Sequence, residues 1–438
     1  MSRQMKRILT IGVAAAALAC GISGAQAGSF ALREQSADAL GQGFAGVAAG
    51  TGGLSAMFWN PATITGNAGW QSSWSLTGII ARSVTTAGPG TFAGFLPLGT
   101  TSGNLGQNAV LPASYSSYQV NDSLWLGLAT GAPFGLATKN NRPWAGGFYG
   151  ETSKVFSTDI TPTIGYKVNE WLSVGAGAQI EYFKVRLTSL RPPAFGSITA
   201  LEGDSWGFGY TLGVTLKPLA GTEIGIGYRS RVKQNLEGTL LNAFGQAPTV
   251  SIKSKLTLPD ELTLGIQQKI NDQLTLSAGF EWTNWSLFNS FPVTNATTGG
   301  VVTNLGFRYR NGWYASLGGA YKWNEQLTLK AGLGYERSPI SDIVRGVRLA
   351  DNDRVWTTIG AGYKFNNKLS FDFSYAHAFF KSSPITINSI ANPAFNPLAP
   401  FPFVGSNKTS LDILSVGLNY RWDDPRVAEP VAPIVRKY

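Results

Sequence analysis

Residues 274–283 read LTLSAGFEWT, and this stretch contains the pattern that decides the fold. The apolar side chains occupy every second position: Leu274, Leu276, Ala278, Phe280 and Trp282. Small or polar residues fill the positions between them. An alternation of period two predicts a β-strand with one apolar face. The same pattern recurs at 172–181, 223–229, 327–336 and 414–422, so we predict an all-β protein.

Composition separates a membrane barrel from a soluble β-sandwich. Only 14% of the 438 residues are charged, against about 25% in typical soluble domains. No apolar run reaches the roughly 20 residues of a membrane-spanning helix. Strands rich in glycine and aromatic residues, with a low charge, favour a transmembrane antiparallel β-barrel. Its sheet must close on itself because lipid offers no partner to free backbone groups.

The first residues carry the features of an export signal. Arg3, Lys6 and Arg7 precede the apolar run 8–19, and Ala25-Gln26-Ala27 has the form of a cleavage site. We therefore predict a signal peptide over residues 1–27. A lipid-modified Cys20 is the alternative interpretation of the same region. Cys20 is the only cysteine of the chain, so we predict no disulfide, metal site or other cofactor in the exported protein.

Short polar turns predict the number of strands. They recur at intervals of roughly 40 to 55 residues, which suits two strands and a long loop. The turns fall at 121–123, 169–170, 218–221, 271–273, 324–326 and 366–368. Six such turns predict seven hairpins, and hence about 14 strands over residues 70–422. Longer stretches at 191–203, 242–249 and 383–407 are predicted as loops on the opposite, extracellular side.

Two segments lie outside the barrel pattern. Residues 28–69 are rich in Gly, Ala and Ser without strand alternation, and we predict that they form a plug, called here the hatch, inside the barrel. Residues 423–438 contain three prolines and predict an extended C-terminal tail. Tryptophans near the strand ends are predicted to form interfacial aromatic belts: Trp125, Trp171, Trp282, Trp285 and Trp323.

The sequence Gly131-Ala132-Pro133-Phe134-Gly135 interrupts the predicted third strand. Proline cannot donate to the strand ladder, and the flanking glycines weaken pairing. Two interpretations remain open, a tolerated bulge and a lateral opening from the lumen to the lipid. Gly131, Pro133, Phe134 and Gly135 are the candidate residues of such an opening.

The formal net charge is +10, but export and the absence of a basic run argue against nucleic acid as a partner. Lys184, Arg186, Arg308 and Arg310 are among the cations predicted at inward positions. They could pair with acidic residues of the lumen, or hold the carboxylate of a greasy ligand. His377, the only histidine, is the one base available to a barrel hydrolase, and we predict a structural role for it and no enzyme activity.

Several blocks together resemble the long-chain fatty acid outer-membrane transporters of the FadL type. The blocks include Gly28–Ser36, with Phe30, and Asn60-Pro61-Ala62 in the hatch. Further blocks are 206–210, 228–233, 258–261, 282–286 and 351–356. The resemblance spans nearly the whole exported chain. It implies a 14-stranded barrel in the bacterial outer membrane, with the hatch in its lumen and an exit at a kink in the third strand.

The implied function is passive uptake of long-chain fatty acids or similar hydrophobic molecules, with release into the membrane after a shift of the hatch. The cations around 184–191 and 305–310 depart from the positions of the family, which leaves aromatic hydrocarbons as an alternative cargo. The sequence also leaves open an anion-preferring porin, a lipid-hydrolysing barrel and an adhesin. The implied partners are the hydrophobic cargo, outer-membrane lipids and the barrel assembly machinery, and the implied state is a monomer.

Overall fold

The computed structural model describes residues 29–92, 98–140, 143–190, 198–241, 249–387 and 402–423. The predicted signal peptide, residues 1–27, lies outside these ranges, as does the predicted C-terminal tail beyond Asp423. Within the described ranges, no helix is long and apolar enough to cross a membrane. The predicted all-β class is confirmed, because the strands join into one sheet.

Fourteen barrel strands are present in the described part of the chain, several of them in two pieces. Their bounds are β1 Trp70–Ala87, β2 Ala109–Gln119, β3 Leu124–Gly131 and Gly135–Lys139, β4 Thr152–Lys167, β5 Leu172–Leu190, β6 Ile198–Leu219, β7 Thr222–Arg229 and Val232–Leu241, β8 Val250–Leu258 and Glu261–Lys269, β9 Leu274–Thr283 and Ser290–Asn295, β10 Val301–Gly306 and Gly312–Lys322, β11 Leu327–Arg337, β12 Arg354–Lys364, β13 Leu369–Phe380 and Ser383–Ile387, and β14 Phe403–Arg421. A short strand, Thr101–Asn104, pairs with the end of β1.

The sheet closes between its first and last strands. Antiparallel pairing of β1 with β14 runs from Gln71 opposite Arg421 to Ala87 opposite Gly405. Strand β6 begins at Ile198, so the prediction that residues 191–203 form a loop is wrong from Ile198 onward. The predicted loop 383–407 is wrong at both ends, because residues 383–387 of β13 pair with residues 403–407 of β14. Closure removes the free edges of the sheet, as a structure in lipid requires.

Side chains in the lower part of the wall are sorted as in a membrane barrel. On β11, Leu329 and Leu333 point outward and are 40% and 60% exposed, whereas the side chain of Lys330 is buried in the lumen. The apolar face of the strand is thus on the outside, which is the reverse of a soluble sandwich. The alternation in the sequence predicted this face correctly.

Asparagine side chains build five of the six short turns. In each of them the Oδ1 atom accepts hydrogen bonds from the backbone amides two and three residues further on, at 2.8–3.0 Å. The five residues are Asn121, Asn169, Asn271, Asn324 and Asn366. Such Asx turns replace a backbone turn with a side-chain acceptor. In the remaining turn, Gly221 adopts a positive φ of 78°.

The hatch lies inside the barrel and is nearly all buried from Ser29 to Ile64. It consists of short helices with bounds Ala37–Gly41, Val47–Ala49, Gly53–Phe58 and Pro61–Gly66. The predicted motif at Asn60 anchors it, because the Asn60 amide donates to the carbonyl oxygens of Ala48 at 2.6 Å and Val214 at 2.9 Å. Gly213 permits this approach, since a Cβ there would lie 1.8 Å from Asn60 Oδ1.

The predicted aromatic belts are confirmed for some tryptophans and wrong for others. Trp171 and Trp323 are 53% and 63% exposed on the outer surface, beside short turns. Trp125 and Trp285 are buried, at 3% and 1% exposure, and face the lumen. The Trp125 indole donates to the carbonyl oxygen of Asn67 in the hatch, at 2.9 Å. Proximity to a strand end therefore did not determine which face a tryptophan occupies.

Candidate ligand cavity and lateral opening

The predicted interruption of the third strand is present and leaves a gap in one ladder. The two pieces of β3 both pair with β4, where Gly131 lies opposite Asp159 and Gly135 opposite Phe156. From the first pair to the second, β3 advances by four residues and β4 by three. The extra residue on β3 forms a β-bulge. The ladder between β3 and β2 ends at the pair Ser114 and Thr130.

Backbone groups of the hatch occupy the place that β2 leaves beside the bulge. The Leu32 amide donates to the carbonyl oxygen of Pro133 at 2.8 Å, and the Gly135 amide donates to that of Phe30 at 2.8 Å. Ala31 and Phe134 form an antiparallel bridge. The hatch therefore pairs with β3 from inside the barrel.

A cleft of about 560 Å³ lies between β2 and the bulge. Its inner end is lined by Leu32 of the hatch and by Phe134. At its outer end are Leu76 and Trp206, side chains that are 49% and 57% exposed on the lipid-facing surface. The cleft thus extends from the hatch to the outer surface of the wall.

An apolar cavity of about 120 Å³ occupies the lumen above the hatch. Aliphatic and aromatic side chains of β3 to β10 surround it, its lining also includes Glu202 and Glu237, and the loop 338–353 covers it. Its apolar lining includes Phe30, Leu136, Val155, Phe183, Val185, Leu187, Leu236, Leu256, Phe288, Phe291, Phe307, Tyr309, Ile340, Val344 and Leu349. An enclosed apolar space with few polar groups is typical of a small-molecule site.

Phe30 and its neighbours separate the cavity from the cleft. The ring of Phe30 packs edge-on against Trp285 and Phe288, with centroid distances of 4.8 and 5.2 Å, and lies 5.8 Å from Phe134. Val155 lines both the cavity and the cleft. Only a few apolar side chains therefore stand between the two spaces.

One cation, Arg348 of the loop 338–353, lines the cavity among the described residues. Its Nη1 atom donates to the carbonyl oxygen of Thr152 at 3.1 Å and lies 3.3 Å from Ser153 Oγ. Burial lowers the pKa of Arg348 to about 10, an effect that Glu151 partly offsets, so the guanidinium keeps its charge at neutral pH. The sequence did not point to this residue because the loop has no periodic pattern.

The four cations predicted for a head group all point away from the cavity. Lys184 and Arg186 are on the outer surface of β5, where both lie near Glu202. Arg308 is exposed, and Arg310 lies near Asp353 outside the cavity. The expected inward orientation of these residues is therefore wrong.

Lys184 and Arg186 point outward because the apolar face of β5 changes sides along the strand. Tyr182 and the apolar residues before it point to lipid on β5, whereas Phe183, Val185 and Leu187 point into the cavity. No bulge interrupts the register from Leu172 to Leu190. Apolar residues therefore face outward within the membrane and inward above it. The adjacent aromatics Tyr182 and Phe183 mark this transition in the sequence.

Charged groups fill the lumen on the other side of Phe134. Arg33 of the hatch forms an ion pair with Glu281, lies 3.3 Å from Glu336, and stacks 4.0 Å above the ring of Tyr314. Arg229 donates to Asp159 at 2.8 Å and to the carbonyl oxygen of Phe58 at 3.1 Å. The ion pairs of Arg33 and the hydrogen bond from Arg229 to Phe58 join the hatch to the wall. The cavity that remains there measures about 40 Å³.

His377 lies on the outer surface of β13, remote from this lumen. Its Nδ1 atom is 2.7 Å from Asp412, which also accepts a hydrogen bond from the Tyr375 hydroxyl at 2.7 Å. The structural role of His377 stays a prediction.

The model of one protein family matches residues 18–422, and its description is outer membrane protein transport protein (OMPP1/FadL/TodX). The chain belongs to this family. It is accordingly a protein of the bacterial outer membrane, and its family is one of transport proteins. The resemblance inferred from the sequence blocks is thereby confirmed.

Relatives in this family cover most of the chain. The 47 kDa outer membrane protein of Pasteurella multocida is 26% identical, over 93% of this chain and 97% of its own. The long-chain fatty acid transport protein of Escherichia coli (strain K12) is 24% identical, over 85% of this chain and 93% of its own.

Solved structures agree with the fold. The crystal structure of a Pseudomonas aeruginosa FadL homologue superposes with a TM-score of 0.81 at 23% identity, covering 90% of this chain and 100% of that one. A Pseudomonas putida toluene transporter, TodX, gives a TM-score of 0.65 at 17% identity, covering 85% and 95%. At these identities the similarity establishes the fold alone.

Proposed function

We propose that the protein is a passive uptake channel for a hydrophobic molecule with an acidic end, such as a long-chain fatty acid. The cargo enters the apolar cavity from outside and presents its carboxylate to Arg348. One observation carries this proposal: an apolar cavity with a single cation in its described lining lies next to the interrupted third strand. One relative is named for long-chain fatty acid transport, and one structural neighbour is named for toluene transport.

Release follows a lateral route in this proposal. A small movement of Phe30 and the hatch residues beside it joins the cavity to the cleft, and the cargo leaves past Pro133 into the membrane. Burial contributes about 0.8 kcal/mol per methylene group, so an alkyl chain has a strong drive into the cavity. Exit into lipid keeps the chain in an apolar medium throughout.

The charged layer on the other side of Phe134 supports the lateral route over a path straight through the lumen. A descending alkyl chain would have to displace buried ion pairs of Arg33 and Arg229. Breaking a buried pair leaves an uncompensated charge and costs several kcal/mol. The route through Phe30, Phe134 and Val155 passes apolar side chains, and none of the described residues that line the cleft is charged. The hatch also fills the lumen that a water-filled porin would leave open.

The head-group step is tested by binding of oleic acid and of oleyl alcohol to the purified protein, measured by Trp fluorescence. We expect Arg348→Gln to weaken oleic acid binding about tenfold, because a charge-assisted hydrogen bond is lost, and to leave oleyl alcohol unaffected. The matched controls Lys184→Gln and Arg186→Gln should bind both as the wild type does. Equal losses for acid and alcohol would refute a head-group role for Arg348.

A neutral aromatic hydrocarbon is the second candidate cargo. The observation in its favour is that the four cations predicted for a head group lie outside the cavity, which leaves a mostly apolar lining. Toluene binding in the same assay distinguishes the two. If toluene binds and oleic acid does not, the cargo is the hydrocarbon and the lateral route stands unchanged.

The lateral route needs its own variant. Replacing Gly131–Gly135 by a regular strand of four residues should close the gap and reduce uptake of oleic acid by whole cells at least tenfold. Binding to the purified variant should persist because Arg348 and the cavity are retained. Undiminished uptake by a correctly folded variant would show that the cargo leaves by another path.

A further inference from the structure

The outer surface of β5 passes from an apolar to a charged zone at a defined height. Its outward side chains are apolar from Val174 to Tyr182, and Lys184 and Arg186 follow. At a rise of about 3.3 Å per residue and a tilt near 40°, ten residues of strand span about 25 Å of membrane. Because Leu172 follows a short turn, Lys184 lies at the extracellular edge of the apolar band.

Aromatic side chains on three adjacent strands mark this edge. Phe156 of β4, Tyr182 of β5 and Trp206 of β6 form a row, with centroid distances of 6.4 and 5.2 Å. Trp206 is 57% exposed on the lipid-facing surface. Aromatic rings at such a position contact the region where acyl chains join their head groups.

Three cations stand directly above the aromatic row. Lys154 of β4 lies opposite Arg186 of β5 in the strand register. Like charges in directly opposite positions are destabilising. Lys184 and Arg186 share Glu202, at 2.8 and 3.4 Å. Asp204 of β6 lies opposite Lys184 in the register, so Glu202 and Asp204 together offset two of the three positive charges. Among the described residues, no acidic group lies within ion-pair distance of Lys154, so one positive charge is left over.

We propose that Lys154, Lys184 and Arg186 bind the phosphate group of a phosphorylated glycolipid in the outer leaflet. A phosphate between Lys154 and Arg186 relieves their repulsion and accepts several hydrogen bonds from them. The acyl chains of the same lipid lie against Tyr182 and Trp206. Charge complementarity and the position at the membrane edge together identify this occupant, which is independent of the cargo in the cavity.

The test uses the full exported protein in detergent, with bisphosphorylated lipid A as the probe and native mass spectrometry as the readout. We expect the triple variant K154Q/K184Q/R186Q to retain at least tenfold less lipid A than the wild type. The matched variant K269Q/K322Q/K364Q removes three exposed lysines at the turn end of the barrel and should retain as much as the wild type. Oleic acid binding should be unchanged in both, because none of these residues lines the cavity.

A second measurement keeps the test valid if the triple variant fails to fold. The wild-type protein should retain lipid A at least tenfold better than the dephosphorylated form of the same lipid, and phosphatidylglycerol should not displace it. Equal retention of the two lipid A forms, displacement by phosphatidylglycerol, or undiminished binding by the folded triple variant would each overturn the proposal.

Discussion

Leu32 of the hatch donates its backbone amide to the carbonyl oxygen of Pro133 in the wall, at 2.8 Å. This bond falls where β2 and β3 have already separated, beyond the pair Ser114 and Thr130. The hatch therefore acts as a local substitute for a missing strand neighbour, and the proposed lateral route requires this contact to break.

Locking this contact should stop release. Ala31 and Phe134 form an antiparallel bridge, and opposed residues of such a bridge have a separation that suits a disulfide. We expect Ala31→Cys with Phe134→Cys to reduce oleic acid uptake at least tenfold when oxidised, and to recover when a reductant is added. Phe134→Cys alone serves as the control. Normal uptake by the cross-linked protein would show that this contact need not open.

The anchor at Asn60 should contribute strongly to the stability of the hatch. Asn60→Ala removes donors to Ala48 and Val214 and the acceptor for the Ala62 amide, all in a fully buried site. We expect a loss of about 2–3 kcal/mol, seen as faster hydrogen exchange over residues 37–66. Asn67→Ala is the control, because Asn67 is partly exposed and its side chain makes one bond, to Thr63. Similar exchange in the two variants would contradict the anchoring role.

Seating of the hatch should weaken as pH rises. Burial raises the pKa of Glu34, a residue of the hatch and not of a membrane strand, from 4.5 to about 7, and Arg33 offsets only part of the effect. Between about pH 4.5 and pH 7, the Glu34 carboxyl is therefore protonated in the seated hatch and ionised in the released hatch. The contribution of Glu34 to the stability of the seated hatch is fully present below about pH 4.5. It decreases as the pH rises to about 7, by at most about 3 kcal/mol.

The check is hydrogen exchange of the hatch at pH 5 and pH 7.5, corrected for intrinsic rates. Glu34→Gln cannot ionise, so its hatch should be similarly protected at both values. The wild-type hatch should exchange faster at the higher pH. An identical pH response in the variant would assign the effect to other groups.

The asparagine turns should matter for assembly of the strand hairpins. Asn324→Ala removes the acceptor for the amides of Gln326 and Leu327, and we expect it to cost about 1 kcal/mol. Asn324→Asp keeps an acceptor and should refold like the wild type. The midpoint of urea-induced unfolding in detergent measures both, and equal midpoints for Ala and Asp would exclude a role for the turn bond.

Local chemistry explains how much of the fold could be predicted. The alternation over 274–283 and the turn asparagines depend on nearest neighbours, so they predicted the strands and their number. The bulge at Pro133 was predictable for the same reason, since proline lacks a donor. None of these signals depends on contacts between distant parts of the chain.

The site was harder to predict than the fold because the role of each of its residues depends on tertiary contacts. Lys184 looked luminal since polar residues face inward within the membrane, but that rule reverses above the membrane, where the cavity is apolar. Arg348 lies in an irregular loop and reaches the cavity only through the fold. Trp285 has the aromatic side chain and the position near a strand end that are typical of a belt residue. Only the tertiary structure places it against Phe30.

The position of Ser29 restricts where the protein can be labelled. Ser29 is fully buried, and its amide donates to Asp351 of the loop 338–353 at 3.2 Å. A fluorophore or affinity tag fused just before Ser29 would therefore have to be accommodated at a fully buried position, beside the loop that covers the cavity. Attachment beyond Trp422, at the turn end of the barrel, leaves the cavity and its loop undisturbed.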